Sequence, residues 1–318
     1  MPERTAPAGY RPLMDPELQS LSYRVRFRPA LLRPAALAMR LMDLRWRPPA
    51  GVARRRLVAR GLDGNAVPLD LYEPADASGE AMPALLYAHG GGFGFRAAPY
   101  QRDLACSYAL GARCLVLFPD YRLLPAHPYP AAVRDVLGCY AFALSHTREL
   151  GIDAGRVGVG GDSAGGALAA CCANEAERHG LPAPRAQLLC YPVCDARCDT
   201  ASMRRFVDTP LWDAANNRRM WELYLRGVPA ARRPQASPAL MALPASPPPT
   251  RVETAELDCL HDEGAAYAER LRAAGADVEL VETRGTVHGF DAVAAASVTR
   301  TCVAGRVAFL RRTLGVGA

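Results

Sequence analysis

The chain reads as an α/β protein with a mostly parallel central sheet, helices on both faces and a helical cap. Three observations predict this. Strand-like runs at 84–88, 113–118, 157–161, 187–191, 251–256 and 278–282 alternate with longer helical stretches, the pattern of parallel strands joined by crossover helices. Two glycine-rich strings, His89-Gly90-Gly91-Gly92 and Gly161-Asp162-Ser163-Ala164-Gly165, each follow one of these runs directly. Half of the 318 residues are hydrophobic, enough to fill one large core beneath a lid.

Taken in order, residues 1–49 are helical in character and lie outside the sheet. Residues 55–60 and 66–72 read as strands joined across Asp63-Gly64, a hairpin signal. Residues 164–178 read as a helix rich in small residues, closed by Gly180. An insertion at 195–233 interrupts the alternation. Within it, 211–226 carries Leu211, Trp212, Met220, Trp221, Leu223 and Tyr224 at amphipathic helical spacing. The proline-rich stretch 244–249 returns the chain to the sheet. These readings divide the chain into N-terminal cap helices (1–50), a first core part (51–194), a cap insertion (195–235) and a second core part (236–318). Phe93, Trp212, Met220 and Trp221 are the expected walls of a substrate pocket under the cap, against the plainer reading that such residues are core packing.

The string around Ser163 has the form G-x-S-x-G, a strand-to-helix turn that exposes a serine. Such a turn strains the backbone and needs small neighbours, which Gly161 and Gly165 supply. The alternative is a plain turn with a capping serine. The three glycines after His89 let backbone N–H groups face a ligand. Preorganised donors there would stabilise a developing oxyanion, and Gly91, Gly92 and Ala164 are the expected ones. His89 is expected to hold the loop by hydrogen bonds rather than act as a base, because a base must face the nucleophile with an acidic partner.

In the α/β-hydrolase architecture that these two motifs resemble, the catalytic residues follow the order Ser, Asp/Glu, His. Of six histidines, only His261 and His288 lie well beyond Ser163. His288 follows the strand-like run 277–282, and a loop at a strand's C-terminal end is where reactive groups gather. Asp258 directly follows a strand read at 250–257 and is the expected acid. Asp262 and Glu263 sit where a helix begins, and acidic residues there complement the helix dipole. His261 reads as a loop residue.

The chain resembles the hormone-sensitive-lipase-like bacterial carboxylesterases of the α/β-hydrolases, over roughly residues 71–310. The resemblance rests on HGGG and GDSAGG, on Asp120-Tyr121-Arg122-Leu123-Leu124-Pro125, on Tyr129-Pro130-Ala131-Ala132, and on Ala236-Ser237-Pro238. It also rests on Asp258 with Asp262-Glu263-Gly264, and on His288-Gly289-Phe290. It implies a catalytic triad of Ser163, Asp258 and His288, and oxyanion donors Gly91, Gly92 and Ala164. It implies carboxylic esters with short to medium acyl chains as substrates, cytoplasmic use and a homodimer. Four positions depart from the family pattern: Ala126, Ala167, the stretch 96–101 and the turn 283–285. They bear on the support of the oxyanion loop and on the pocket mouth.

Composition excludes several other chemistries. The chain has no lysine, which removes a P-loop, a pyridoxal Schiff base and serine-lysine dyads. The net charge of +6 comes without aromatic interleaving or a nucleic-acid motif, so no nucleic-acid partner is expected. The apolar stretch at 29–42 is broken by Arg33 and Arg40, so neither a secretory signal nor a membrane span is expected. The ten cysteines read as small buried hydrophobes of a reducing compartment. Cys190, Cys194 and Cys198 are spaced by four but form no C-x-x-C pair, and no metal or other cofactor is expected. The expected function is ester hydrolysis through an acyl-serine intermediate. Three alternatives stand beside it: an amide-cleaving deacetylase or formamidase, a non-catalytic small-molecule receptor, and a lipase working at an oil interface.

Overall fold

The computed structural model describes residues 9–77 and 79–316; residues 1–8 of the expected N-terminal cap lie outside that range. Eight strands form one sheet: β1 (Val52–Arg60), β2 (Ala66–Pro74), β3 (Met82–Ala88), β4 (Leu115–Pro119), β5 (Ile152–Asp162), β6 (Gln187–Cys190), β7 (Thr250–Ala255) and β8 (Val278–Thr283). Their order is β1-β2-β4-β3-β5-β6-β7-β8. The pairs β1–β2 and β2–β4 are antiparallel and the others parallel. The helices are α1 (Pro29–Arg45), α2 (Pro99–Gly111), α3 (Ala131–Ser145), α4 (Thr147–Leu150), α5 (Ala164–Glu175), α6 (Ala201–Arg205), α7 (Ala214–Tyr224), α8 (His261–Ala273) and α9 (Ser297–Thr313).

Burial follows strand position. Every residue of β4, β6 and β7 is buried, because these strands are covered on both faces. The outer strand β1 is mostly half-buried or exposed and carries Arg54, Arg55 and Arg56, charge that blunts a sheet edge. Arg54 pairs with Asp70 of β2 at 2.7 Å and Arg55 with Glu73 at 3.3 Å. The basic cluster is thus tied across the hairpin.

Several boundaries differ from the sequence reading. The strand expected to reach residue 257 ends at Ala255, so Asp258 stands in the turn beyond it. The helix after Ser163 ends at Glu175, tightens into a 3₁₀ turn over Glu177–His179 and stops at left-handed Gly180. Residues 21–28 form no helix, because their backbone finds partners in another segment. Asn216 accepts from the Phe27 N–H at 3.0 Å and donates to the Val25 carbonyl at 2.8 Å. Helix α7 begins only at Ala214, capped by Asp213, whose side chain accepts from the Asn216 N–H at 2.8 Å. Leu211 and Trp212 therefore precede the helix and are free to turn elsewhere. The N-terminal segment and the stretch between β6 and β7 meet directly, with Leu211 N–H donating to the Tyr23 carbonyl at 3.1 Å.

Candidate active site

Ser163 stands between β5 and α5 with φ +55° and ψ −120°. A non-glycine residue in that region costs on the order of 1–3 kcal/mol and persists only where its surroundings fix it. Here the Ser163 N–H donates to the Cys190 carbonyl at 2.9 Å, and its own carbonyl accepts from the Val193 N–H at 3.0 Å. The turn also demands close packing of α5 on β3. A Cβ on Gly165 would lie 2.0 Å from the Ala88 carbonyl oxygen, so only glycine fits.

The Ser163 hydroxyl lies 2.8 Å from His288 Nε2, and His288 Nδ1 lies 2.6 Å from Asp258 Oδ2. Asp258 is fully buried, and its second oxygen accepts from the Leu260 N–H at 3.0 Å. That acceptor pair leaves Nδ1 as the donor and Nε2 free to accept from the serine. Asp262 faces elsewhere and accepts from the Ser202 N–H at 2.8 Å. His261 pairs with Asp262 at 3.0 Å and Glu282 at 3.1 Å.

Gly91 and Gly92 flank Ser163 on the wall of the same cavity, with φ of +116° and +58°. Among the described residues, neither of their N–H groups donates a hydrogen bond within the protein. A Cβ on Gly92 would lie 2.7 Å from the Trp212 ring, which bars larger residues there. The loop is held from behind by Asp162, whose Oδ1 accepts from the Gly90 N–H at 3.0 Å. Gln101 donates to Asp162 Oδ2 at 2.6 Å, and Tyr87 donates to Oδ1 at 3.3 Å. Burial still pushes the Asp162 carboxyl up to about 6. His89 stacks on Tyr121 at 4.5 Å and donates from Nδ1 to the Gly90 carbonyl at 2.7 Å. Burial takes its imidazole down to about 3, so it stays neutral.

The cavity at Ser163 encloses about 300 Å³, at the small end of ligand sites. Trp212 forms part of its wall. Phe93, Met220 and Trp221 do not: Phe93 stacks on Tyr224 at 3.9 Å, and all three are buried behind the site. The physical reason is the late start of α7, which turns its apolar face into the core. The remaining wall comes from residues that patterning missed, including Tyr23, Val25, Ala35, Met39 and Tyr100. Tyr191 also lines it, with its ring 5.0 Å from that of His288. One signal could have found Tyr191: it follows the C-terminal end of a parallel strand, where site residues gather.

Beneath Tyr191 lies a buried charge network. Tyr191 donates to Asp291 at 2.7 Å, and Arg306 pairs with Asp291 at 3.0 Å and also with Glu253. Arg306 and Glu253 are wholly buried. Burial works against the guanidinium, but these carboxylates outweigh it and keep Arg306 charged. Among the described residues, no three His, Cys, Asp or Glu side chains converge as a metal site. Cys190, Cys194 and Cys198 remain separate thiols.

A family model described as the alpha/beta hydrolase fold matches residues 85–292, and the chain belongs to that family. It is 35% identical over 301 residues to Esterase LipI of Mycobacterium tuberculosis, covering 91% of this chain and 92% of the relative. It is 38% identical over 231 residues to an ethyl acetate hydrolase of Pseudomonas putida, covering 72% of each. Among solved structures, a bacterial heroin esterase superposes with a TM-score of 0.87 at 36% identity, over 95% of this chain and 98% of that one. The chain is a hormone-sensitive-lipase-like bacterial carboxylesterase, an enzyme that hydrolyses carboxylic esters. No helix among the described residues is long and apolar enough to cross a membrane.

Proposed function

We propose that Ser163, His288 and Asp258 are the catalytic triad and that Gly91, Gly92 and Ala164 donate the oxyanion hydrogen bonds. The observation that carries this is the continuous chain from Ser163 Oγ to His288 Nε2 at 2.8 Å and from His288 Nδ1 to Asp258 Oδ2 at 2.6 Å. His288 takes the serine proton as Oγ attacks the ester carbonyl. The carbonyl oxygen becomes an oxyanion beside the Gly91, Gly92 and Ala164 N–H groups. Each such donor is worth about 3–4 kcal/mol in the transition state, and the N-terminus of α5 adds partial positive charge. Collapse expels the alcohol, which receives its proton from His288. Water then gives His288 a proton and attacks the acyl-serine, and His288 returns that proton to Ser163 Oγ as the carboxylic acid leaves. Asp258 accepts from Nδ1 throughout and steadies the imidazolium.

The small cavity supports esters with short to medium acyl chains. Each methylene that fits adds up to about 0.8 kcal/mol of binding, and one that protrudes adds nothing. Capped domains over the site are supported by Ala35 and Met39 of α1, and by Leu211 and Trp212 before α7, all on its wall. The ten cysteines are all unpaired, which supports a reducing compartment and so the cytoplasm.

An organophosphonate probe followed by peptide mapping tests the nucleophile. The label is expected on Ser163 alone and absent from Ser163→Ala; a label elsewhere overturns the assignment. Aryl acetate, butyrate, hexanoate, decanoate and palmitate esters test the acyl range. The expected kcat/KM maximum lies below decanoate, and a maximum at palmitate overturns it.

A further inference from the structure

Helix α1 has two unlike faces. The inner face packs Leu32 into the core, sets Ala35 and Met39 on the cavity wall, and pairs Asp43 with Arg102 at 2.8 Å. The outer face leaves large apolar side chains in solvent: Leu31 is 47% exposed, Leu37 62%, Leu41 56%, Met42 52% and Leu44 58%. Leu37, Leu41 and Leu44 follow the i, i+4, i+7 spacing of one helical stripe. A soluble surface seldom leaves so continuous an apolar stripe without a partner.

Charge identifies the partner. Residues 24–47 hold seven arginines and one acidic residue, Asp43. These are seven of the 38 basic and one of the 32 acidic residues, so the remaining 31 and 31 cancel. The whole net charge of +6 therefore lies in the segment that bears the exposed leucines. Arg33 and Arg40 are exposed and follow one edge of the stripe, while Arg28 and Arg45 mark its ends. The arginines thus border the apolar face rather than interrupt it.

We propose that the outer face of α1 docks on an anionic lipid surface, leucines in the interface and arginines at the headgroups. This is the arrangement of a helix that lies on a bilayer without crossing it. A second copy on the same face would bring +6 against +6 under two-fold symmetry, so the homodimer implied by resemblance needs another face. A nucleic acid would satisfy the arginines but leave the leucines uncovered. Because the inner face of α1 walls the Ser163 cavity, docking sets that cavity close to the lipid.

The test is flotation of the full chain with vesicles of phosphatidylcholine alone, or with one third phosphatidylglycerol, and it reads binding rather than turnover. Each arginine near an anionic surface contributes about fivefold to partitioning. Binding to the phosphatidylglycerol vesicles is expected to exceed the other by about tenfold or more and to fall with salt. The double variant Leu37→Asp/Leu41→Asp and the double variant Arg33→Gln/Arg40→Gln should each lose about 25-fold or more, with aryl acetate turnover unchanged. Should the aspartate variant fail to fold, the glutamine variant decides. Absent binding, equal binding to both vesicles, or binding unaltered in the folded variants overturns the proposal. So does a solution dimer that Leu37→Asp/Leu41→Asp dissociates while no vesicle binds.

Discussion

Gln101 and Asp162 are 61 residues apart in sequence, yet the Gln101 amide nitrogen lies 2.6 Å from Asp162 Oδ2 deep under the glycine loop. The other Asp162 oxygen holds the Gly90 N–H, and the Gln101 carbonyl accepts from the Ala98 N–H at 2.8 Å. One carboxamide therefore ties the start of α2, the end of β5 and the glycine loop together. This is where the loop finds support despite the unusual stretch at 96–101.

Gln101→Leu removes a hydrogen bond to a buried acid, worth about 1.5–3 kcal/mol. The expected outcome is a stability loss of that order together with a fall in kcat larger than any change in KM. Urea denaturation and steady-state kinetics on an aryl acetate check it. Unchanged kcat would show that the loop does not depend on Gln101.

Asp162 gives a pH dependence with a definite sign. Its folded carboxyl lies at about 6 against a reference of 3.8. A raised acid contributes stability that is fully present below the unfolded value and is lost as pH rises through the folded one. Wild type should therefore lose stability between about pH 4 and 6, by on the order of 2–3 kcal/mol. In Asp162→Asn this component disappears. The difference between the two denaturation profiles isolates it, and parallel profiles would contradict the shift.

Asp258→Asn and Asp262→Asn separate the two acidic candidates. Asp258 meets His288, whereas Asp262 bonds Ser202 and His261. Asn at 258 favours the wrong imidazole tautomer, which lowers kcat about 10⁴-fold in a well-characterised triad. Asn at 262 should cost about 0.3–1 kcal/mol of stability as a helix-start charge and leave kcat near wild type. The reverse ranking in kcat would reassign the acid.

Arg306→Met leaves Asp291 buried without its cation and Glu253 with Arg251 alone, at 3.5 Å. Removing one partner of such a group costs about 3–5 kcal/mol. The expected result is a large drop in the urea midpoint. A midpoint within error of wild type would show that the carboxylates accommodate the loss.

Much of the proposed catalytic centre was legible in the chain itself. The strand-to-helix turn at Ser163, the glycine loop after β3 and His288 beyond β8 are set by local sequence, because only small residues tolerate those backbone paths. The strand alternation likewise follows from local patterning. What sequence could not determine was the wall of the cavity. Met220 and Trp221 have the same apolar character as Trp212, but the Asp213 cap starts the helix two residues after Trp212 and sends them inward. Gln101 and Arg306 meet their buried acids only when folding brings distant segments together. Residues 21–28 stay out of a helix because Asn216, about 190 residues away, satisfies the Phe27 N–H and the Val25 carbonyl. Local sterics fix a turn within a few residues, whereas a partner's burial and charge are settled only when distant segments meet.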